Sequence, residues 1–422
     1  MQAPENTIPA LEFAVKQGAD GIEIDIRRTL DGHFVLYHDD WLPDTLGPLV
    51  KIEDLTLAEA RRLDVGSRWG KRWKGLRVPL LKDVLRFAKQ NQLLLFYDIK
   101  TQGIDDELRQ MTLEAGVGRQ VIVPERLADP TREKIPFWSG WGYLKGGEED
   151  PAQMAAVVKE IGTQRTRLMA DDCRALAAAL GRKPAARPFF RFIETKLPAS
   201  SVLAGDLQSS DVPALRRALW SQARQPVAIR WPRVRDLAIN AANPRVRMDA
   251  AWALGSSREQ SDTALLLKIG MEPLSPTPKD HPSGVDYFDT FRLATAAGAL
   301  AKQATPTADA AMQQIAAQGG FAPTAVALGY AALGSGPQVL YHLGNTAEPN
   351  ENALTFALSY AARHPYGFGI YRLGLFSSGY NRRIAIFGLA GLEKANTRRM
   401  IALSRERDPK VRSAVELINR WR

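Results

Sequence analysis

Asp20-Gly21-Ile22-Glu23-Ile24-Asp25-Ile26-Arg27 alternates strictly between apolar and charged residues from Ile22 onward. A strand turns successive side chains to opposite faces. Ile22, Ile24 and Ile26 therefore share one face, and Glu23, Asp25 and Arg27 share the other. The stretch before it reads as a helix. Pro4-Glu5-Asn6-Thr7 is a helix entry with Asn6 or Thr7 as cap, Ile8, Leu11, Ala14 and Val15 form a 3.6-period face, and Gly18 is the stop.

Downstream the alternation of types continues. Phe34–Tyr37 reads as a short buried strand, Thr56–Leu63 and Leu80–Gln90 as helices, and Leu93–Ile99 as an apolar strand. Asp106–Ala115 reads as a helix and Gln120–Val123 as a further strand. Helices alternating with short apolar strands predict a parallel sheet or a β/α barrel. Such a barrel normally opens on a strand, whereas this chain opens on a helix, so a first strand is expected upstream of Met1. The aromatic, Gly-rich Pro136–Tyr143 reads as a loop. Pro151–Ile161 and Ala170–Leu180 read as helices, and Val202-Leu203-Ala204 as a late strand. These do not make a full set of remaining barrel strands.

From about residue 230 the pattern changes. Asn243-Pro244-Arg245-Val246-Arg247 precedes an Ala-rich helix, and Asp408-Pro409-Lys410-Val411-Arg412 precedes another. Small-residue helices lie between them around Ala299-Leu300, Ala332-Leu333, Ala361-Ala362 and Gly391-Leu392. A spacing near thirty residues implies stacked helical hairpins, and the segment resembles short Ala-rich HEAT repeats. The expected fold class is thus α/β plus all-α. An incomplete or divergent TIM-type barrel over residues 1–229 is followed by a HEAT-like solenoid over 230–422.

Glu23 and Asp25, about 6.8 Å apart along one strand and placed at its C-terminal end, repel unless protonated or bound to a cation. Oxygen ligands favour Mg²⁺ or Ca²⁺. The alternative is an ordinary solvated strand face. His38-Asp39 follows the neighbouring strand and offers a general acid/base. Asp98 and Lys100 share a face in Leu95-Phe96-Tyr97-Asp98-Ile99-Lys100. Asp98 completes a metal site, and Lys100 either holds a phosphate oxygen or pairs with Asp98. His33 lies in a turn, and His281, His342 and His364 have no neighbouring ligands in sequence. Gly-rich phosphate loops, Gly-x-Ser-x-Gly elbows and zinc spacings are absent.

Ala3-Pro4-Glu5-Asn6-Thr7, Gly18–Asp25, Asp31-Gly32, His38-Asp39, Leu55–Glu59 and Val78–Leu81, in this order and spacing, resemble the glycerophosphodiester phosphodiesterase family over about residues 3–123. The resemblance implies a β/α barrel. It implies hydrolysis of glycerophosphodiesters to sn-glycerol 3-phosphate and an alcohol, with a divalent metal and two histidines. Glu23 and Asp25 match metal ligands, and Asp98 stands where the family has a metal-binding glutamate one methylene longer. His38 matches the second catalytic histidine. Lys100 and Glu5 match residues on the substrate side. The family's His-Arg-Gly motif belongs a few residues before Pro4 and is expected upstream of Met1, so the chain as written is expected to turn over poorly. Two other readings compete: a degenerate barrel serving with the repeats as a binding scaffold, and a lyase forming a cyclic phosphate.

The composition bounds the rest. Single Cys173 excludes an internal disulfide, and no apolar run is long enough to span a bilayer. No signal peptide is visible after Met1, which leaves the compartment open. Of the net charge of +10, residues 381–422 contribute most, with eleven Lys/Arg against four acids. This basic end suits an acidic protein or anionic surface; a solvated helix face is the alternative. It lacks the interleaved aromatics of a base-stacking platform, so no nucleic acid is expected.

Overall fold

The computed structural model describes residues 3–38, 42, 50–66, 71–122, 141–143, 167–169, 177–178, 181, 188–196, 205–257, 259–273, 287–318, 322 and 326. The chain divides into two compact units. The first comprises Met1–Asp40, Ile52–Gly66 and Trp73–Val202; the second comprises Trp41–Lys51, Ser67–Arg72 and Leu203–Arg422.

The first unit opens with α1 (Ile8–Lys16), β1 (Gly21–Arg28) and β2 (Phe34–Leu36). A one-turn α2 (Leu57–Ala60), α3 (Leu81–Gln90), β3 (Leu94–Ile99), α4 (Asp105–Glu114) and β4 (Val121–Ile122) follow. The four strands form one sheet in the order β2-β1-β3-β4. β1 runs parallel to β3, and β3 to β4. Helices α3 and α4 supply the crossovers that parallel strands need. Ile24, Ile26, Leu95, Tyr97 and Val121 meet Leu11, Val84, Leu85, Phe87 and Leu108 in one buried cluster. Gly18 stops α1 with φ +85°, as expected.

β2 departs from the parallel expectation. It pairs antiparallel with β1, Ile26 opposite Leu36. Residues 29–33 are too few for a crossover and suffice for a hairpin. Gly32 takes φ +85° in this turn, and Thr29 Oγ1 accepts from the His33 amide at 2.9 Å. The other edge of β2 is covered, because Leu36 N donates to Pro79 O at 3.1 Å. The Trp141–Tyr143 stretch, read as loop, is β5; it pairs in parallel with β6 (Arg167–Met169). A three-residue Trp-Gly-Tyr strand has no period to read, and its pairing partner is remote in sequence. Most of the helix expected at Ala170–Leu180 lies outside the described residues, as do Pro151–Ile161 and Val202–Ala204 in full. A closed barrel is not seen among the described residues.

Gly21 of β1 packs tightly against Leu94 of β3. A Cβ there would stand 2.9 Å from both Leu94 Cβ and Leu94 O. Gly21→Ala is therefore expected to cost about 1–3 kcal/mol through overpacking, read as a lower urea midpoint.

The second unit is helical among its described residues: α5 (Val212–Arg224), α6 (Trp231–Asn240), α7 (Pro244–Leu254), α8 (Gln260–Gly270), α9 (Tyr287–Gln303) and α10 (Pro306–Ala316). Packing alternates. α5 lies on α7 and α7 on α9, while α6 packs on α7, α8 on α9 and on α10, and α9 on α10. Asn243 caps α7 by accepting from the Arg245 amide at 2.9 Å, with Pro244 opening the helix, as the Asn-Pro motif predicts. Small residues set the α7–α9 distance: a Cβ on Gly255 would meet Ala299 O at 2.7 Å, and one on Gly298 the Trp252 ring at 2.7 Å. The helix Val212–Arg224 lies before the boundary expected at residue 230, yet its Leu215 and Leu219 share a buried cluster with Val246 and Leu254. The motif copies beyond residue 326 fall outside the described residues. No helix among the described residues is long and apolar enough to cross a membrane.

Candidate active site

The charged face of β1 and the end of β3 converge. Asp25 stands opposite Asp98 in the parallel register. One oxygen each from Glu23, Asp25 and Asp98 lie within 4.8 Å of one another. The carboxylates of β1 are not at its end, since Ile26–Arg28 continue the strand into the hairpin. They sit instead near the end of the neighbouring β3, where Asp98 is the last residue but one. The environments differ: the side chain of Asp25 is 4% exposed and that of Asp98 is 51% exposed.

Lys100 lies between two of the acids. Its Nζ is 3.0 Å from Asp25 Oδ1 and 2.7 Å from Asp98 Oδ2. Burial pulls its ammonium down, but the hydrogen bond to Asp98 and the charge of Asp25 outweigh this and hold it above its ordinary value. The ion pair with Asp98, one of the two readings of Lys100, is thus present.

Asn6 belongs to this site, and its role was missed. It was read as a possible helix cap. In the fold it takes a left-handed conformation, φ 53°, which asparagine tolerates. Its Nδ2 donates to Asp25 Oδ2 at 2.6 Å, while its Oδ1 accepts from the Asp25 amide at 3.0 Å. Thr7 takes the N-cap position of α1 without a side-chain cap bond. The helix-entry reading of Pro4–Thr7 explained Asn6 as a cap and so hid its contact with a residue 19 positions away. Glu5 is half-buried one residue before Asn6.

His38 follows β2 and is exposed. The hairpin brings it beside β1, where Tyr37 N donates to Asp25 O at 3.1 Å. His38 is near enough for its charge to act on the Glu23 carboxyl. His33 sits in the hairpin turn, half exposed, 4.0 Å from Asp31. Asp39, His281, His342 and His364 lie outside the described residues.

Residues 1–135 match the Glycerophosphoryl diester phosphodiesterase family. The match holds every sequence-predicted site residue. A glycerophosphodiester phosphodiesterase of Caldanaerobacter subterraneus subsp. tengcongensis is 35% identical over 125 residues, 28% of this chain and 51% of that protein. A putative glycerophosphodiester phosphodiesterase of Bacillus subtilis is 40% identical over 114 residues, 26% of this chain and 46% of that protein. The chain therefore spans about half the length of the curated relatives it matches. A solved Oleispira antarctica phosphodiesterase, in complex with the product sn-glycerol-3-phosphate, is 20% identical with TM-score 0.34, covering 43% of this chain and 92% of that one.

The donor set fits a hard divalent ion. Three carboxylates face one ammonium, and the buried Asp25 Oδ1 has Lys100 Nζ at 3.0 Å. Burial, then the charges of Asp25 and Asp98, push the Glu23 carboxyl up to about 8 against the pull of Lys100 and His38. Between about 4.5, its value when unfolded, and about 8, the unfolded chain has released this proton and the folded one keeps it. Stability of the metal-free protein is expected to fall as pH rises through that window. Glu23→Gln is expected to flatten this slope in melting curves recorded across it.

Proposed function

We propose that this protein hydrolyses glycerophosphodiesters to sn-glycerol 3-phosphate and an alcohol, using a divalent cation held by Glu23, Asp25 and Asp98. The observation that carries this reading is the convergence of those three carboxylates beside His38 within the family-matched residues. A Mg²⁺ or Ca²⁺ ion would offset the phosphoryl charge and polarise its oxygens.

The chain's own residues supply the rest. His38 holds or moves the proton of the attacking water or leaving alcohol through its imidazole. Asn6 keeps the Asp25 carboxylate in one orientation. Lys100, paired with Asp25 and Asp98 in the metal-free site, would be free to hold a phosphate oxygen as a point charge if those carboxylates held a cation. Glu5, in the same segment as Asn6, borders the substrate. Asp98, shorter than the family's glutamate, reaches a shared ion only by standing closer, or through water.

The test is release of sn-glycerol 3-phosphate from glycerophosphocholine or glycerophosphoethanolamine with Mg²⁺ or Ca²⁺, followed by ³¹P NMR. Turnover that stops with chelator supports the proposal. Metal-independent release, or none, sinks it, and a cyclic phosphate product assigns the site to a lyase instead.

The second unit is proposed as an interaction module of HEAT-like hairpins. The alternating packing of α5–α10 supports this, as does the lack of a second metal-type cluster among the described residues. Its basic end is proposed to meet an acidic protein or anionic surface. Salt-insensitive or absent binding of the full chain to phosphatidylserine vesicles would remove the membrane half of that idea.

A further inference from the structure

Arg27 is the third residue on the face of β1 that carries Glu23 and Asp25, and the mechanism above leaves it without a task. Its side chain is only 2% exposed, so it is closed to a phosphate. Its donors point elsewhere. Nε donates to Tyr37 O at 3.1 Å, and Nη2 donates to His38 O at 2.8 Å. Nη1 donates to Glu53 Oε1 at 3.2 Å. The Tyr37 and His38 carbonyls belong to the two peptide planes that flank the His38 Cα. A peptide unit is rigid, so fixing both planes fixes φ and ψ of His38 and the direction of its Cα–Cβ bond.

Glu53 is held in turn. Its Oε1 also accepts from Thr101 Oγ1 at 2.5 Å, and Thr101 Oγ1 accepts from the Arg28 amide at 3.1 Å. Thr101 directly follows Lys100 at the end of β3. One network thus ties the segment carrying His38 to the segment carrying Lys100. The planar, forked guanidinium suits this; a lysine offers a point charge and cannot span two carbonyls and a carboxylate in one plane.

We infer that Arg27, braced by Glu53, is a positioning residue that aims His38 at the substrate. This rests on the hydrolase reading for its kinetic consequence and not for its geometric one. Arg27→Lys is the first variant and Arg27→Met with Glu53→Gln the second, so that misfolding of one leaves the other. Both are made in the full chain. The expected result is a kcat lower by about 10–100-fold, the scale of misplacing a catalytic group. KM and Mg²⁺ or Ca²⁺ affinity should stay unchanged. In parallel, the His38 imidazole NMR signals, assigned with His38→Asn, should broaden or split.

A rise in KM with kcat intact would make Arg27 a substrate contact and overturn the proposal. Loss of metal affinity in step with activity would make it general scaffold and overturn it equally. Sharp, unshifted His38 signals in a folded variant also overturn it. This last readout needs no turnover, so it decides the matter even if the native chain hydrolyses no glycerophosphodiester.

Discussion

His38→Ala is expected to lower metal-dependent turnover of a glycerophosphodiester by about 10²–10⁴-fold, the usual contribution of a positioned acid/base group. Metal affinity should be unaffected, because the three carboxylates that form the cluster remain. His38 is exposed and ends a hairpin, so its truncation removes little packing. Titration calorimetry with Ca²⁺ alongside initial rates separates the two quantities. Equal loss of rate and affinity would point to His38 as a ligand, and an unchanged rate would remove it from the chemistry.

The second large effect lies in the helical unit. Asp249 is fully buried, and its Oδ2 accepts from Arg216 Nε at 2.6 Å. Arg216 is itself 3% exposed at the side chain and lies over the Trp220 ring, 5.0 Å from its centroid. Burial raises the Asp249 carboxyl above its ordinary range even though Arg216 pulls it down. Asp249→Ala removes the buried carboxylate to which the Arg216 guanidinium donates. Breaking such a pair from one side costs about 3–5 kcal/mol. The expected readout is early loss of helical circular dichroism on heating. The double variant Asp249→Leu with Arg216→Met should recover much of the loss, because an apolar pair of similar volume avoids burying either charge.

The sequence was most legible where a single period governs. Strict alternation over Ile22–Arg27 placed β1 and its charged face, and the apolar runs placed β3 and α3 within a residue or two. The Asn243-Pro244 cap was equally plain, because one side chain and one ring set the start of the helix. Pairing direction was harder. β2 was visible as a strand, but its antiparallel partner choice lies in the length of the connection and not in the strand's own residues. β5 was lost because Trp141–Tyr143 draws its identity from β6. Helix α5 was passed over although Asp211-Val212-Pro213 carries a cap signal, with Asp211 Oδ2 accepting from the Ala214 amide at 2.9 Å.

At the candidate site the three converging carboxylates were readable, since strand alternation and a short list of oxygen-donor residue types single them out. Asn6 and Arg27 were not. Each acts through contacts made only after folding, one across 19 positions to Asp25 and the other across 26 to Glu53.

The hairpin has a kinetic consequence. His38 reaches β1 through a tight local turn, with Ile26 opposite Leu36. Asp98 reaches Asp25 only when β3 docks in parallel, after the chain has passed through α2 and α3. Closing the longer loop is entropically the later event. The cluster of Glu23, Asp25 and Asp98 would then be complete only on the native side of the folding barrier. A bound divalent ion should accordingly slow unfolding while leaving the refolding rate nearly unchanged. The site would act as a latch that closes only after the hairpin has formed.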